Sequence, residues 1–179
     1  MTSAELAVLS LIVEQPRHGY EIEAQIKARG MRDWTDIGFS SIYAILKKLE
    51  GKGWVEAHLA RSVGQGPPRK VFRANAEGRK AHREAMLAVL SENRRPHSPL
   101  LIGLANLPVI SPAEAIVALG AYCQSLEVQR IQLSDRLEAQ RPLPPFVEAM
   151  FDYSFTQLES ELGWVRSYMQ DLEANHGES

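Results

Sequence analysis

A mainly α-helical fold with one small β-hairpin is predicted by three observations on this 179-residue chain. First, Ile42, Ile45, Leu46 and Leu49 recur at i, i+3, i+4 and i+7, the spacing of a helix packed on a core, and Gly51 and Gly53 end the run. Second, two short strand-like runs follow it, separated by a Gly- and Pro-rich stretch that neither strand can continue through. Third, the last third of the chain carries two long apolar stripes at alternating spacings of three and four, joined by a proline-rich turn. Together they predict two parts: three helices and a hairpin over 1–90, and a helical hairpin over 111–179, with a linker and short helix over 91–110.

Thr2-Ser3-Ala4-Glu5 has the spacing of a capping box, and Leu6, Leu9 and Val13 follow at helical intervals up to Pro16. His18-Gly19-Tyr20-Glu21-Ile22 opens a second helix, with Ile22 and Ile26 facing inward and an end near Gly30. Residues 34–39 connect it to the third helix. On that helix Ser40, Ala44, Lys47, Lys48 and Gly51 lie opposite the apolar stripe, flanked by Ser41 and Tyr43, with Glu50 at the edge. A small, hydroxylated and cationic face can come close to phosphates and base edges. Three short helices before a hairpin make a winged helix-turn-helix arrangement, with the third as recognition helix.

Residues 54–59 read as one strand and 71–73 as its partner. Arg61, Gln65, Arg69 and Lys70 then fall on the loop between them, a wing that would lay cations along phosphates; the plainer use is a solvated hairpin end. Asn75 can cap a fourth helix running to about Leu90, and Met86, Leu87 and Leu90 mark it as a core or connecting helix. Residues 91–98 are the expected boundary, and 100–107 a short helix tucked against the second part.

Ser111-Pro112-Ala113-Glu114 is a helix start with cap, proline and capping glutamate in place. Ile116, Leu119, Cys123, Leu126, Arg130, Leu133 and Leu137 form its stripe, and Phe151, Phe155, Leu158, Leu162, Val165, Met169 and Leu172 that of the last helix. Two helices and one short segment offer little to bury both stripes together with Tyr122, Tyr153 and Trp164. A second copy of the chain is the simplest partner, with Leu119, Leu126, Leu133, Phe155, Leu158, Leu162 and Val165 as dimerisation residues.

The net charge of −2 conceals an asymmetry. Residues 1–90 hold 14 Lys+Arg against 10 Asp+Glu, and residues 91–179 hold 6 against 12. A basic half beside an acidic one points to a nucleic-acid partner for the first. The single Cys123 rules out an internal disulfide and reads as a small core residue. His18, His58, His82, His97 and His176 are scattered without metal-ligand spacing, no phosphate-binding loop follows a strand, and no nucleophile sits beside a base. Neither catalysis nor a metal or other cofactor is expected. With no apolar run of membrane-spanning length and no secretory start, a soluble cytoplasmic protein is expected. A non-enzymatic rival remains, a winged helix used only for protein contacts.

His18-Gly19-Tyr20-Glu21-Ile22, Ser41-Ile42-Tyr43 with Leu46-Lys47-Lys48-Leu49-Glu50, Gly53-Trp54-Val55, Gly66-Pro67-Pro68-Arg69-Lys70-Val71-Phe72 and Glu77-Gly78-Arg79 resemble, in order, the winged-helix domain of the PadR family of bacterial transcriptional regulators. The resemblance covers about the first 80 residues; the longer helical half is similar to the subfamily with an extended dimerisation domain by length and layout. It implies a dimeric repressor on near-palindromic double-stranded DNA, released by a small apolar or aromatic molecule or another cue. Ser40, Ser41, Tyr43, Lys47, Lys48, Gln65, Arg69 and Lys70 would be the DNA-binding residues. Trp34, Phe39, Phe155 and Trp164 stand between two uses, lining a ligand pocket or filling a core, and core is the simpler. Ala44 replaces the family's usual proline after the recognition-helix tyrosine, and Ala74 its usual core leucine.

Overall fold

The structure, a computed structural model, describes residues 1–35, 37–38, 41–60, 69–93 and 98–177, and only the backbone of residues 33 and 175–177. It forms two compact units, Met1–Arg95 and Pro96–Ser179.

In the first unit, α1 (Ser3–Glu14) begins with the expected capping box: Glu5 N donates to Thr2 Oγ1 at 3.2 Å and Thr2 N to Glu5 Oε2 at 3.2 Å. Two orphan amides of the first turn are thereby satisfied. Its Val8, Leu9, Leu11 and Ile12 form the centre of the core. Arg17, almost fully buried, closes the other end by donating from Nε to Leu11 O at 2.9 Å and pairing with Glu14 at 3.0 Å. A buried guanidinium is tolerable here because its donors are taken up by a helix C-terminus and a carboxylate.

The two-residue strand β1 (Arg17–His18) precedes α2 (Gly19–Ala28), which contributes Ile22 and Ile26 to the core. Next comes α3 (Ser41–Gly51), burying Ile42, Ile45, Leu46 and Leu49 as its periodicity requires. Gly53, at φ 69°, takes the left-handed conformation that turns the chain out of the helix, and Trp54 N bonds back to Leu49 O at 3.1 Å. β2 (Val55–Ala60) and β3 (Arg69–Ala74) pair antiparallel, and β1 adds to the far edge of β3 in the order β1-β3-β2. The sequence showed no sign of β1, since two residues after a proline carry no periodicity. The strands are also longer than expected: Arg69 pairs with Ala60 and Lys70 with Leu59, so both belong to the sheet and not to the loop. Ala74 is buried opposite Val55.

Helix α4 (Ala76–Ser91) is capped by Asn75, whose Oδ1 accepts from Gly78 N at 2.9 Å. Gly78 packs against the backbone of Trp54 so closely that a Cβ there would lie 2.0 Å from the Trp54 carbonyl oxygen. Ser10 Oγ meets His82 Nε2 at 2.9 Å, and Arg79 donates to Val13 O at 3.1 Å, tying α4 to α1. Of the two uses expected for α4 from Met86, Leu87 and Leu90, core or connecting helix, burial speaks against the first. All three are exposed, and Gly78 is the helix's one buried residue. Apolar periodicity marks a face; it does not say whether the same chain covers it.

The second unit holds α5 (Pro99–Ala105), α6 (Pro112–Gln140) and α7 (Pro145–Gly177). Ser111 and Glu114 form the expected capping box at the start of α6. Leu119, Cys123 and Leu126 of α6 pack against Leu162 and Val165 of α7, flanked by Leu100, Tyr122, Leu158, Tyr168, Met169 and Leu172. Tyr122 donates to Glu161 at 2.7 Å, and Arg166 pairs with Glu127. The stripes lose burial toward the turn, where Leu133 and Phe155 are half-buried. Of α5, Leu100 reaches this core while Leu101 and Ile102 are exposed.

Candidate nucleic-acid interface

A groove of about 620 Å³ runs between the start of α2, the outer face of α3 and the start of β3. His18, Gly19, Tyr20, Tyr43, Leu46, Lys47, Glu50, Arg69, Lys70 and Phe72 line it. The helical repeat explains the α3 contribution: Tyr43, Lys47 and Glu50 are four and three residues apart and so share a face. Two ties hold the other walls. His18 N donates to Glu21 at 2.7 Å at the head of α2, and His18 Nδ1 lies 3.3 Å from Lys70 O on β3. Gly19 lets the Tyr43 ring lie directly on the α2 backbone, because a Cβ at 19 would meet three ring atoms at 2.9 Å. Tyr20 and Tyr43 are 72% and 58% exposed, so their rings are offered to a partner more than packed into the core.

The electrostatics suit an anion. Lys47, Arg69 and Lys70 enter the groove against the single lining carboxylate of Glu50, and the first residues of α2, its positive end, form one wall. The structure thus brings Tyr43, Lys47, Arg69 and Lys70 into one place. Ser41 sits at the head of α3, half-buried, its hydroxyl donating to Gly38 O at 2.6 Å. Ser40, Phe39, Arg61 and Gln65 lie outside the described residues.

Lys48 stands apart. Its ammonium does not face the groove; it pairs with Glu5 Oε1 of α1, while Lys52 Nζ donates to Glu5 Oε2 at 2.9 Å and lies 4.6 Å from the centre of the Trp54 ring. Burial pushes the Glu5 carboxyl up, but Lys48, Lys52 and the Thr2 amide outweigh it and hold the group down at about 2. Sequence reasoning saw Glu5 only as a cap. Its partners lie more than forty residues away, and no local pattern signals them.

Trp34 and Trp164 are 52% and 49% exposed, so neither fills a core; Trp164 stacks on Tyr168 with ring centroids 5.2 Å apart. Phe155 is half-buried. No helix among the described residues is long and apolar enough to cross a membrane.

Residues 8–84 match the transcriptional regulator PadR-like family. An uncharacterized protein of Lysinibacillus sphaericus is 35% identical over 72 residues, 40% of this chain and 64% of that protein, so the chain spans less than two thirds of this relative's length. Among solved structures, Bacillus subtilis PadR in complex with operator DNA superposes with a TM-score of 0.74 at 17% identity, over 94% of this chain and 98% of that one. The same protein in complex with p-coumaric acid gives 0.73 at 16% identity. A PadR-like transcriptional regulator from Bacillus cereus gives 0.73 at 18% identity, over 97% and 99%. At such identities the superpositions speak to the fold, which is shared nearly end to end. The sequence relationship is confined to residues 8–84, which are similar to the PadR-like family of transcriptional regulators.

Proposed function

We propose that the chain is a sequence-specific, DNA-binding transcriptional regulator, a non-enzymatic cytoplasmic repressor of a bacterial gene near its own. The observation that carries this reading is the groove, where Tyr43 and Lys47 of the third helix meet Arg69 and Lys70 of the sheet within a PadR-like domain. Ser40, Ser41 and Tyr43 offer hydroxyls to base edges or phosphates, Lys47 reaches a base edge or a phosphate, and Arg69, Lys70 and Gln65 run along the adjacent backbone. One recognition helix buries too little surface to pick one site from a genome, so the protein works as a homodimer on a near-palindrome, with half-site centres about 34 Å or a multiple apart.

Leu119, Leu126, Leu162 and Val165 are enclosed between α6 and α7, so in a dimer they hold each hairpin together. The surface for the second copy is then the exposed apolar set beside them, including Val117, Val128, Ile131, Phe146, Met150 and Tyr153, with half-buried Leu133, Phe155 and Leu158 at its margin. A small apolar or aromatic molecule is the effector class to test first, because Bacillus subtilis PadR has been solved with p-coumaric acid.

Footprinting on DNA upstream of the chain's own gene tests the reading; the expected result is a protected region with dyad symmetry. Lys47→Ala and Arg69→Ala should each weaken operator binding by about 1–3 kcal/mol, and a lost phosphate contact should lower the salt slope by about one. Protection without a dyad, or two folded variants that bind as tightly as the parent at physiological salt, would overturn it.

A further inference from the structure

We propose that Glu5 is a specificity-determining residue, a buried counter-charge that keeps Lys48 and Lys52 away from DNA phosphates and leaves Lys47 as the recognition helix's working cation. The inference rests on the DNA-binding reading above and deepens it.

The Glu5 side chain is almost fully buried, and its two oxygens are divided between the lysines. Oε2 accepts from Lys52 Nζ and from Thr2 N. Oε1 is taken by Lys48, its ion-pair partner among the described residues. Were Lys48 to swing toward a phosphate, a carboxylate oxygen would be left bare inside the protein, which costs far more than one screened phosphate contact returns at the surface. Lys52 is held more firmly still, between Oε2 and the face of Trp54. Lys47, one position earlier and about 100° round the helix, has no ion pair among the described residues and lines the groove.

The consequence follows from how proteins hold DNA. Each phosphate neutralised by a cation adds about 0.9 to the salt slope on any duplex, whatever its sequence. Regulators compete against a genome of such sites, so the ratio of specific to non-specific affinity matters more than either alone. Withholding two of the three lysines on and just after α3 lowers the non-specific term and leaves base-edge readout in place. Glu5 thereby acts on specificity without touching DNA.

The test is the dependence of affinity on salt, with the full chain and a random-sequence duplex as the probe. Glu5→Gln keeps the side chain's shape and frees both lysines. Its slope should steepen by about 0.9 to 1.8, and its preference for operator over random duplex should fall. Adding Lys48→Met and Lys52→Met should return the slope to that of the parent. Should Glu5→Gln fail to fold, Lys48→Met alone decides: a lysine already withheld leaves the slope unchanged, whereas a phosphate-contacting one takes about 0.9 with it. A folded Glu5→Gln with the parental slope, or a shallower slope for Lys48→Met, overturns the proposal and leaves the DNA-binding reading intact. A parent without salt-dependent affinity for any duplex overturns that reading, and this inference with it.

Discussion

The first unit closes its core and the second does not. In the first, α1 lies centrally, and residues from α2, α3, β2 and β3 surround it until Val8, Leu9, Ile12, Ile22 and Leu49 are fully enclosed. In the second, α6 and α7 enclose a single short seam, and Val117, Val128, Ile131, Phe146, Met150 and Tyr153 stay exposed. The difference comes from topology. A helix crossed by several others can bury residues around most of its circumference, whereas a two-helix hairpin has one inner face for each helix. The first unit is thus built around an enclosed core, with apolar surface left open on α4, whereas the second leaves much of the apolar surface of both long helices open.

The largest effect is expected where the smaller core has least to spare. Val165→Asp puts an unpaired carboxylate at a fully buried point of the α6–α7 seam, with a cost of at least about 3 kcal/mol. Hydrogen exchange should then show residues 112–177 losing protection while α1 to α3 keep theirs, and light scattering should show a lower mass than the parent's. Collapse of protection in both units together would erase the comparison, because it would mean that the two share one core.

The counterpart in the first unit is Gly78→Ala. Its Cβ would lie 2.0 Å from a backbone oxygen that cannot step aside, so α4 must shift, at about 2–3 kcal/mol. Urea unfolding should locate the loss in residues 1–91 and leave α6 and α7 protected. An unchanged midpoint would mean that the α4–Trp54 contact is looser than its geometry implies.

These two sites differ in how far they could be read beforehand. The helices were legible because each had a period and a cap: Thr2 and Glu5, Asn75 and Gly78, Ser111 and Glu114 stand within three residues of each other, and their hydrogen bonds formed as expected. Tyr43 and Lys47 were legible for the same reason, as positions on the outside of one helix. What depended on distant pairing was not legible. β1 exists because β3 has a free edge; Arg69 and Lys70 join the sheet because β2 extends to Ala60; Lys48 turns from the groove because Glu5 lies beneath it. The apolar face of α4 was legible as a face, but whether it would be covered was not.

Acid should separate the two units more gently. Glu5 ionises at about 2 in the folded chain against an ordinary value of 4.5, so the unfolded chain takes up its proton first as the pH falls. Its contribution is complete above about pH 4.5 and drains away between there and pH 2. Glu14, held below the usual range chiefly by hydrogen bonds from Arg29 against the opposing effect of burial, loses stability in the same direction. Exchange measured at pH 7 and pH 3.5 should show the first unit weakened, and Glu5→Gln should flatten that response. An equal response in parent and variant would remove Glu5 from the account.

The smallest expected effect on stability is also the one that best isolates the reading surface. Gly19→Ala replaces glycine at the first position of α2, where the gain in helix propensity, up to about 1 kcal/mol, offsets much of the steric cost. That cost falls on the Tyr43 ring, three of whose atoms would lie 2.9 Å from the new Cβ. A ring at the end of an exposed side chain can move aside, so the melting temperature should stay within a few degrees of the parent's. The groove, however, would lose the position of its one α3 aromatic, and operator affinity should fall by about tenfold, or 1.4 kcal/mol, with the salt slope unchanged because no cation has moved. Binding equal to the parent's would show that Tyr43 packs beside the reading surface without belonging to it. A fall in affinity with a shallower slope would mean instead that the substitution had displaced Lys47, four residues along the same face.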